Sequence, residues 1–209
     1  MFTGITRGTF EVTAIERRDD LLTYSVALSP KLAEGIEIGA SVSIDGVCQT
    51  VVSIDGGELE FEAIRETLEL TTLGDLQLGQ KVAVERSCRV GDEIGGHDVA
   101  GHVIGTGRVE AVHRDGNVCD LRIAVPRAWM RYIFEKGFVA VDGASLTVGT
   151  TDADGAFDLH LIPETLRLTN LGERGVGDRV NIEPDARTVA IVDTVERILD
   201  ERRRAEQQP

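Results

Sequence analysis

The sequence has no apolar run able to cross a bilayer. Stretches such as Val139 to Val141 fall far short of the roughly 20 residues a spanning helix needs. It has no basic surplus either. Its 22 lysines and arginines face 36 aspartates and glutamates, a net charge of −14, which argues against a nucleic-acid partner needing a basic stripe. Lysine is scarce, with only Lys31, Lys81 and Lys136 among the basic residues. A GC-rich genome explains that skew and a salt-adapted cytosol would explain the acidity, and neither bears on chemistry. Cysteine is scarce too. Cys48, Cys88 and Cys119 are an odd number without CxxC or Cys/His spacing, which disfavours a disulfide framework and a structural metal. No basic stretch followed by an apolar one stands at the N-terminus, so no signal peptide is read and a cytoplasmic protein is expected. There is no GxSxG elbow, no Walker loop, no GxGxxG between strand and helix, and no assignable pair of catalytic carboxylates.

What is present is a repeat. Val42-Ser-Ile-Asp-Gly-Val-Cys-Gln-Thr-Val51 lines up with Val139-Ala-Val-Asp-Gly-Ala-Ser-Leu-Thr-Val148. Glu66-Thr-Leu-Glu-Leu-Thr-Thr-Leu-Gly74 matches Glu164-Thr-Leu-Arg-Leu-Thr-Asn-Leu-Gly172 at seven of nine positions. Gly4, Gly8, Thr9 and Val12 stand opposite Gly101, Gly105, Thr106 and Val109, and Gly79, Val82 and Glu85 opposite Gly177, Val180 and Glu183. The offset grows from 97 to 98 between these blocks, which puts one extra residue in the Asp152-Ala-Asp-Gly155 turn opposite Asp55-Gly-Gly57. A hairpin tip tolerates such an insertion at least cost. A period this long is a duplicated domain and not a solenoid.

Each copy reads mostly as strand. Leu59, Phe61 and Ala63 alternate with Glu58, Glu60 and Glu62, and the second copy repeats the pattern with Phe157, Leu159 and Leu161. Asp45-Gly46 is a turn signal. Short strands with closely spaced glycine turns predict a small closed barrel in each half. Short helical pieces are expected from Ser29-Pro30 and from Pro126 through Trp129 and Tyr132. The polar, Gly-rich segment Arg86 to Gly96 reads as a linker. After Asp185 nothing has a twin. Ile191, Val192, Val195, Ile198 and Leu199 form one stripe of an amphipathic helix, and Glu201 to Gln208 fray or solvate its end. That stripe packs either on its own barrel or on other copies of the chain.

Corresponding positions carry the chemistry. Cys48 and Thr50 follow one Asp-Gly turn, Ser145 and Thr147 the other, and period two puts each pair on one strand face. Such a row hydrogen-bonds a polyhydroxylated ligand, or merely caps a barrel rim. His97 and His102 are five residues apart with no third ligand nearby, a poor zinc pattern. His102 stands opposite Ile5, as a proton-handling residue present in one copy only would, and a satisfied structural histidine is the other reading. Asp185 ends the last strand as a turn residue or the polar lip of a pocket.

These residues resemble the riboflavin synthase family. Met1-Phe-Thr-Gly-Ile5, Asp45-Gly-x-Cys48-x-Thr50, Glu66-Thr-Leu68 and Thr72-Leu-Gly-Asp75 look like its first barrel. Asp92-Glu-Ile-Gly-Gly-His97, Gly101-His102, Lys136-Gly-Phe138, Asp142-Gly-x-Ser145-Leu-Thr147-Val-Gly149 and His160-Leu-Ile-Pro-Glu-Thr165 look like its second, and Val192-Asp-Thr-Val-Glu-Arg197 like its last helix. Nearly the whole chain is covered. The resemblance implies an all-β fold of two six-stranded Greek-key-type barrels, residues 1–90 and 91–186, with an oligomerisation helix at 187–209. It implies dismutation of two 6,7-dimethyl-8-ribityllumazine molecules to riboflavin and 5-amino-6-ribitylamino-uracil, with neither metal nor cofactor. It further implies a homotrimer joined through the last helix, in which the first barrel of one subunit works with the second barrel of a neighbour, and it raises lumazine synthase as a partner. Carried over by position, Cys48, Thr50, Ala63, Ile64 and Thr67 would hold one lumazine, closed by Phe2, Thr3 and Gly4 with Ser41 near the mouth. His102, Ser145, Thr147, Ile162, Thr165 and Asp185 would form the partner site. Among them Cys48, His102, Ser145 and Asp185 are the expected catalytic groups. Gln49 departs from the family's leucine and by alternation points away from the ligand face. The rival reading is a lumazine- or flavin-binding protein without catalysis.

Overall fold

The computed structural model describes residues 1–206; residues 207–209, the end of the polar tail and of the expected helix 187–209, lie outside the described residues. The first copy forms β1 (Thr9–Arg18), β2 (Leu21–Ala27), β3 (Ser41–Ile44), β4 (Val47–Asp55), β5 (Glu58–Ile64) and β6 (Lys81–Arg86). The second forms β7 (Gly105–Asp115), β8 (Val118–Ala124), β9 (Phe138–Val141), β10 (Ala144–Asp152), β11 (Ala156–Leu161) and β12 (Arg179–Pro184). Each set closes into an antiparallel barrel with the ring order β1-β2-β5-β4-β3-β6, or its equivalent β7-β8-β11-β10-β9-β12. Register shifts recur at equivalent places, Val12/Ala14 and Val109/Ala111, Val51/Ser53 and Val148/Thr151, where bulges bend strands enough to close so small a ring.

Alternation decides what is inside. In β5, Leu59, Phe61 and Ala63 are buried while Glu58, Glu62 and Ile64 are exposed. They join Val12, Leu22, Val26, Ile44, Val51, Val82 and Val84 in the first core, and Phe157, Leu159 and Leu161 do the same with Val109, Val148 and Ile182 in the second. Gln49 points inward as well, and its Oε1 accepts from the buried Tyr24 hydroxyl at 3.3 Å. The second copy has Leu146 and Leu121 at these two positions, both in its core, so one polar pair replaces one apolar pair.

The expected short helices are present. Helix α1 (Pro30–Ala33) is capped by Ser29, whose side chain accepts from the Leu32 amide, and a 3₁₀ turn at Arg127–Arg131 stands in its place in the second copy. Helices α2 (Arg65–Leu70) and α3 (Pro163–Leu168) follow β5 and β11. The extra residue lies where expected: Gly56-Gly57 joins β4 to β5, and Ala153-Asp154-Gly155 joins β10 to β11.

The barrels meet on the tips of two hairpins. Asp45-Gly46 and Asp142-Gly143 are two-residue turns with positive φ at all four residues, the geometry that favours Asp-Gly. A Cβ on Gly46 would lie 2.5 Å from the Gly143 nitrogen, so the tips touch backbone to backbone. Around them lies a buried polar cluster. Asp45 Oδ1 accepts from the Ala83 amide (2.7 Å) and Asn170 Nδ2 (3.0 Å), and Asp142 Oδ1 from the Asn181 amide (2.7 Å). Asn181 Nδ2 donates across the interface to the Asp45 carbonyl (2.7 Å) and to Thr72 Oγ1 (2.8 Å).

Helix α4 (Ala186–Glu206) leaves the second barrel at Asp185, whose carboxylate accepts from the Thr188 amide (2.9 Å) and hydroxyl (2.7 Å). Tyr132 donates to Asp193 (2.6 Å) and Arg131 to Glu196 (2.8 Å), tying its first turns to the barrel. The expected stripe is only partly covered: Val192 is half-buried, but Ile191 is 64% exposed, Val195 50%, Ile198 42% and Leu199 45%. The reading in which this stripe packs on its own barrel is therefore not met within one chain. The helix stays regular and exposed through Glu206.

Candidate active site

The segments leading into the two barrels exchange. Glu85, at the end of β6, grips the first leader, its carboxylate accepting from the Thr3 amide and hydroxyl (both 2.7 Å) and the Gly4 amide (3.0 Å). Glu183, at the end of β12, grips the second through the amides of Ala100 (2.8 Å) and Gly101 (3.0 Å). Burial raises the pKa of both glutamates, against these hydrogen bonds, which lower it. So held, each leader turns at a glycine and passes its carbonyl to the other barrel. The Ser145 amide donates to Gly4 O (2.8 Å), and the Cys48 amide to Gly101 O (3.0 Å). Only glycine fits there. Gly4 and Gly101 have φ of 73° and 79°, and a Cβ on them would lie 2.5 Å from Ser145 Cβ and 2.6 Å from Cys48 Cβ. Phe2 and Val99 bridge the two leaders as an antiparallel pair.

The exchange builds two equivalent pockets on the outer faces of the barrels. One, of about 260 Å³, is lined by Cys48, Glu66, Thr67, Thr71, Gly101 and His102. The other, of about 230 Å³, is lined by Ser145, Glu164, Thr165, Thr169, Gly4 and Ile5, with Ile162 at its edge. Every pair is related by the repeat, and the polar differences are Cys48 against Ser145, His102 against Ile5 and Val103 against Thr6. The pockets share no lining residue.

This corrects the grouping expected from sequence. His102 does not stand with Ser145 but beside Cys48, and Gly4 lines the second pocket instead of the first. Phe2 and Thr3 are buried between the barrels, Phe2 against Val99, Ala140 and Cys48. The cause is the exchange itself, which sequence offsets cannot show. Ala63 is 1% exposed and faces the core, so its side chain is withdrawn from any ligand. Ile64 is exposed, Thr50 and Thr147 are exposed on the faces of Cys48 and Ser145, and Ser41 pairs with Thr50 across β3 and β4. Burial works to raise the pKa of Asp185, but the Thr188 hydrogen bonds and the charge of His97 hold it below the usual value.

His97, set aside by the sequence reading, contacts Ser145, which lines the second pocket. It is 7% exposed, stacks on Phe138 (5.2 Å), and its Nδ1 lies 2.6 Å from Ser145 Oγ. The signal was Gly96 just before it. A Cβ on Gly96 would lie 2.2 Å from the Thr3 carbonyl and 2.7 Å from Ser145 Cβ, so glycine there reports a close approach. Among the described residues no group of three or more His, Cys, Asp or Glu side chains could hold a metal ion, and no helix is long and apolar enough to cross a membrane.

Comparison with known proteins places this arrangement. The lumazine binding domain family matches residues 3–87 and again 100–185. The chain is 44% identical to riboflavin synthase of Escherichia coli (strain K12) over 210 aligned positions, covering 100% of this chain and 98% of that one. It is 40% identical to riboflavin synthase of Chlamydia pneumoniae over 199 positions, covering 95% and 97%. Among solved structures, LumP complexed with riboflavin superposes with a TM-score of 0.82 at 24% identity, covering 88% of this chain and 99% of that one. LumP complexed with 6,7-dimethyl-8-(1'-D-ribityl) lumazine gives 0.80 at 23%, with the same coverage. At that identity the likeness shows a shared fold.

Proposed function

The chain belongs to the riboflavin synthase family, and from that premise we propose how its two pockets perform the dismutation of two 6,7-dimethyl-8-ribityllumazine molecules. A four-carbon unit passes from one to the other, giving riboflavin and 5-amino-6-ribitylamino-uracil. One observation carries the reading: two pockets built of repeat-related residues differ at Cys48/Ser145, His102/Ile5 and Val103/Thr6. A reaction that consumes one compound in two roles needs sites alike enough to bind it and different enough to divide the work.

The substrate brings its own reactivity through an acidic C7 methyl and an electrophilic C7. The protein's share is then mostly proximity and orientation, worth about 7–11 kcal/mol for two well-placed reactants, with proton transfer added. Thr50, Thr67 and Ser41 hold one ring and its ribityl chain beside Cys48, with His102 placed to move a proton there. Thr147, Ile162 and Thr165 do the same beside Ser145, with Asp185 supplying a fixed negative charge. Phe2, Thr3 and Gly4 act by holding the exchanged leader.

The reacting rings must touch, yet the pockets of one chain share no residue. We therefore assign the reaction to a first barrel facing the second barrel of another copy, in a homotrimer joined through α4. Its support is the exposed stripe Ile191, Val195, Ile198 and Leu199 on a helix anchored at its base. Membership of a biosynthetic family supports a cytoplasmic location and association with lumazine synthase, which co-purification would test. The functional test is direct: purified protein is given 6,7-dimethyl-8-ribityllumazine and riboflavin is followed. The expected result is one riboflavin for every two lumazines consumed. Tight binding without turnover would leave the non-catalytic binding reading instead.

A further inference from the structure

His97 does more than fill space between the leader and the second barrel. Its Nδ1 lies 2.6 Å from Ser145 Oγ, and among the described residues its Nε2 has no hydrogen-bond partner, so Ser145 is the one side chain the imidazole hydrogen-bonds. Three contacts fix the ring: the face of Phe138 at 5.2 Å and 16°, the His97 amide donating to Thr3 O (3.2 Å), and Gly96 against Ser145. The charged groups facing it are Asp98 and Asp185, and Asp98 is itself paired with Arg187. Burial nevertheless holds its pKa below the usual histidine value, against the opposing pull of those two carboxylates. A neutral imidazole presents one nitrogen as acceptor. Among the described residues Cys48, at the matching place in the first pocket, has no such partner. His102 lines that pocket without a hydrogen bond to the thiol.

We propose that His97 is a positioning residue for Ser145, its Nδ1 accepting the hydroxyl hydrogen so that the Oγ lone pairs face the second pocket and receive a proton from the substrate held there. Two transfers balance in that step. The substrate's C–H bond breaks as an O–H bond forms on Ser145, and the serine's original proton passes to Nδ1, leaving an imidazolium that Asp98 and Asp185 stabilise. The second pocket is thereby the one whose occupant loses a proton, and the first, with Cys48, is the one whose occupant is attacked. The inference rests on the dismutation proposed above.

The test compares His97→Asn, Ser145→Ala and the double variant. Asparagine keeps a polar atom near the Nδ1 position and the fold around it, but is no base. The expected result is a loss in kcat of about 100-fold or more for each single variant, with KM little changed and no further loss in the double. The acid limb of kcat, below the usual histidine range in the parent protein, should vanish in His97→Asn. Losses that multiply in the double variant, or an acid limb that survives, would overturn the proposal. A measurement on the unaltered protein separates this from the functional reading. Nitrogen NMR of His97 should show Nδ1 unprotonated, and a proton found on Nδ1 would overturn the proposal whether or not riboflavin forms.

Discussion

Two carboxylates and one guanidinium meet where the hairpin tips touch, so the buried cluster between the barrels is one proton short of neutrality when both acids ionise. Arg174 bonds Asp142 at 2.7 Å and stands 3.9 Å from Asp45, and the two aspartates are 0% and 1% exposed. Burial is the main reason that Asp45 is pushed up to about 7; the charge of Asp142 adds to it, and Arg174 with the bonds from Ala83 and Asn170 opposes it. Burial raises Asp142 too. An unfolded aspartate titrates near 3.9. Between that value and about 7 the folded chain therefore holds a proton that the unfolded chain has lost, so this site's contribution to stability falls as pH rises through the window. From pH 5 to 8 the loss is about 2–3 kcal/mol. Asp45→Asn keeps an acceptor at Oδ1 and a residue type that tolerates the φ of 44°, while removing the titration. Urea denaturation at fixed protein concentration should show the variant losing about 2–3 kcal/mol less than the parent between pH 5 and 8. Glu85 and Glu183, raised in the same direction, should leave it some slope. Parallel pH profiles for the two proteins would refute the reasoning.

Two further perturbations test other parts of the structure. Gln49→Leu strands the buried Tyr24 hydroxyl, which should cost about 1–3 kcal/mol in denaturant titration, and adding Tyr24→Phe should restore most of it. A double variant no more stable than the single would contradict the pairing. Truncation after Asp185 should give monomers that bind lumazine in the first barrel yet make no riboflavin; sedimentation of a truncated trimer would refute the role given to α4.

Much of the architecture was legible because it is carried by local pattern. Alternation in Glu58–Ile64 set the inward face, Asp-Gly at 45–46 and 142–143 set the turns, and the one-residue offset located its own insertion. The same alternation correctly turned Gln49 away from Cys48. What it could not supply was the partner, since Tyr24 lies two strands away. The site was legible as a set of residues but not as a grouping. A repeat aligns each leader with its own barrel, whereas the carbonyls of Gly4 and Gly101 satisfy amides of the opposite one. His97 was missed because its meaning lies in a distant serine, and Gly96 before it was the trace of that contact.

The claim that two pockets on different chains make one site is tested most directly by subunit mixing. Thr67→Trp fills the first pocket and Thr165→Trp the second, at equivalent positions on α2 and α3. Each variant alone should be inactive beside an unaltered protein that forms riboflavin. Unfolded together and refolded in equal amounts, they should recover about a quarter of the parent turnover, because every mixed ring of three contains one unblocked pair. A mixture as inactive as its components would contradict a shared site.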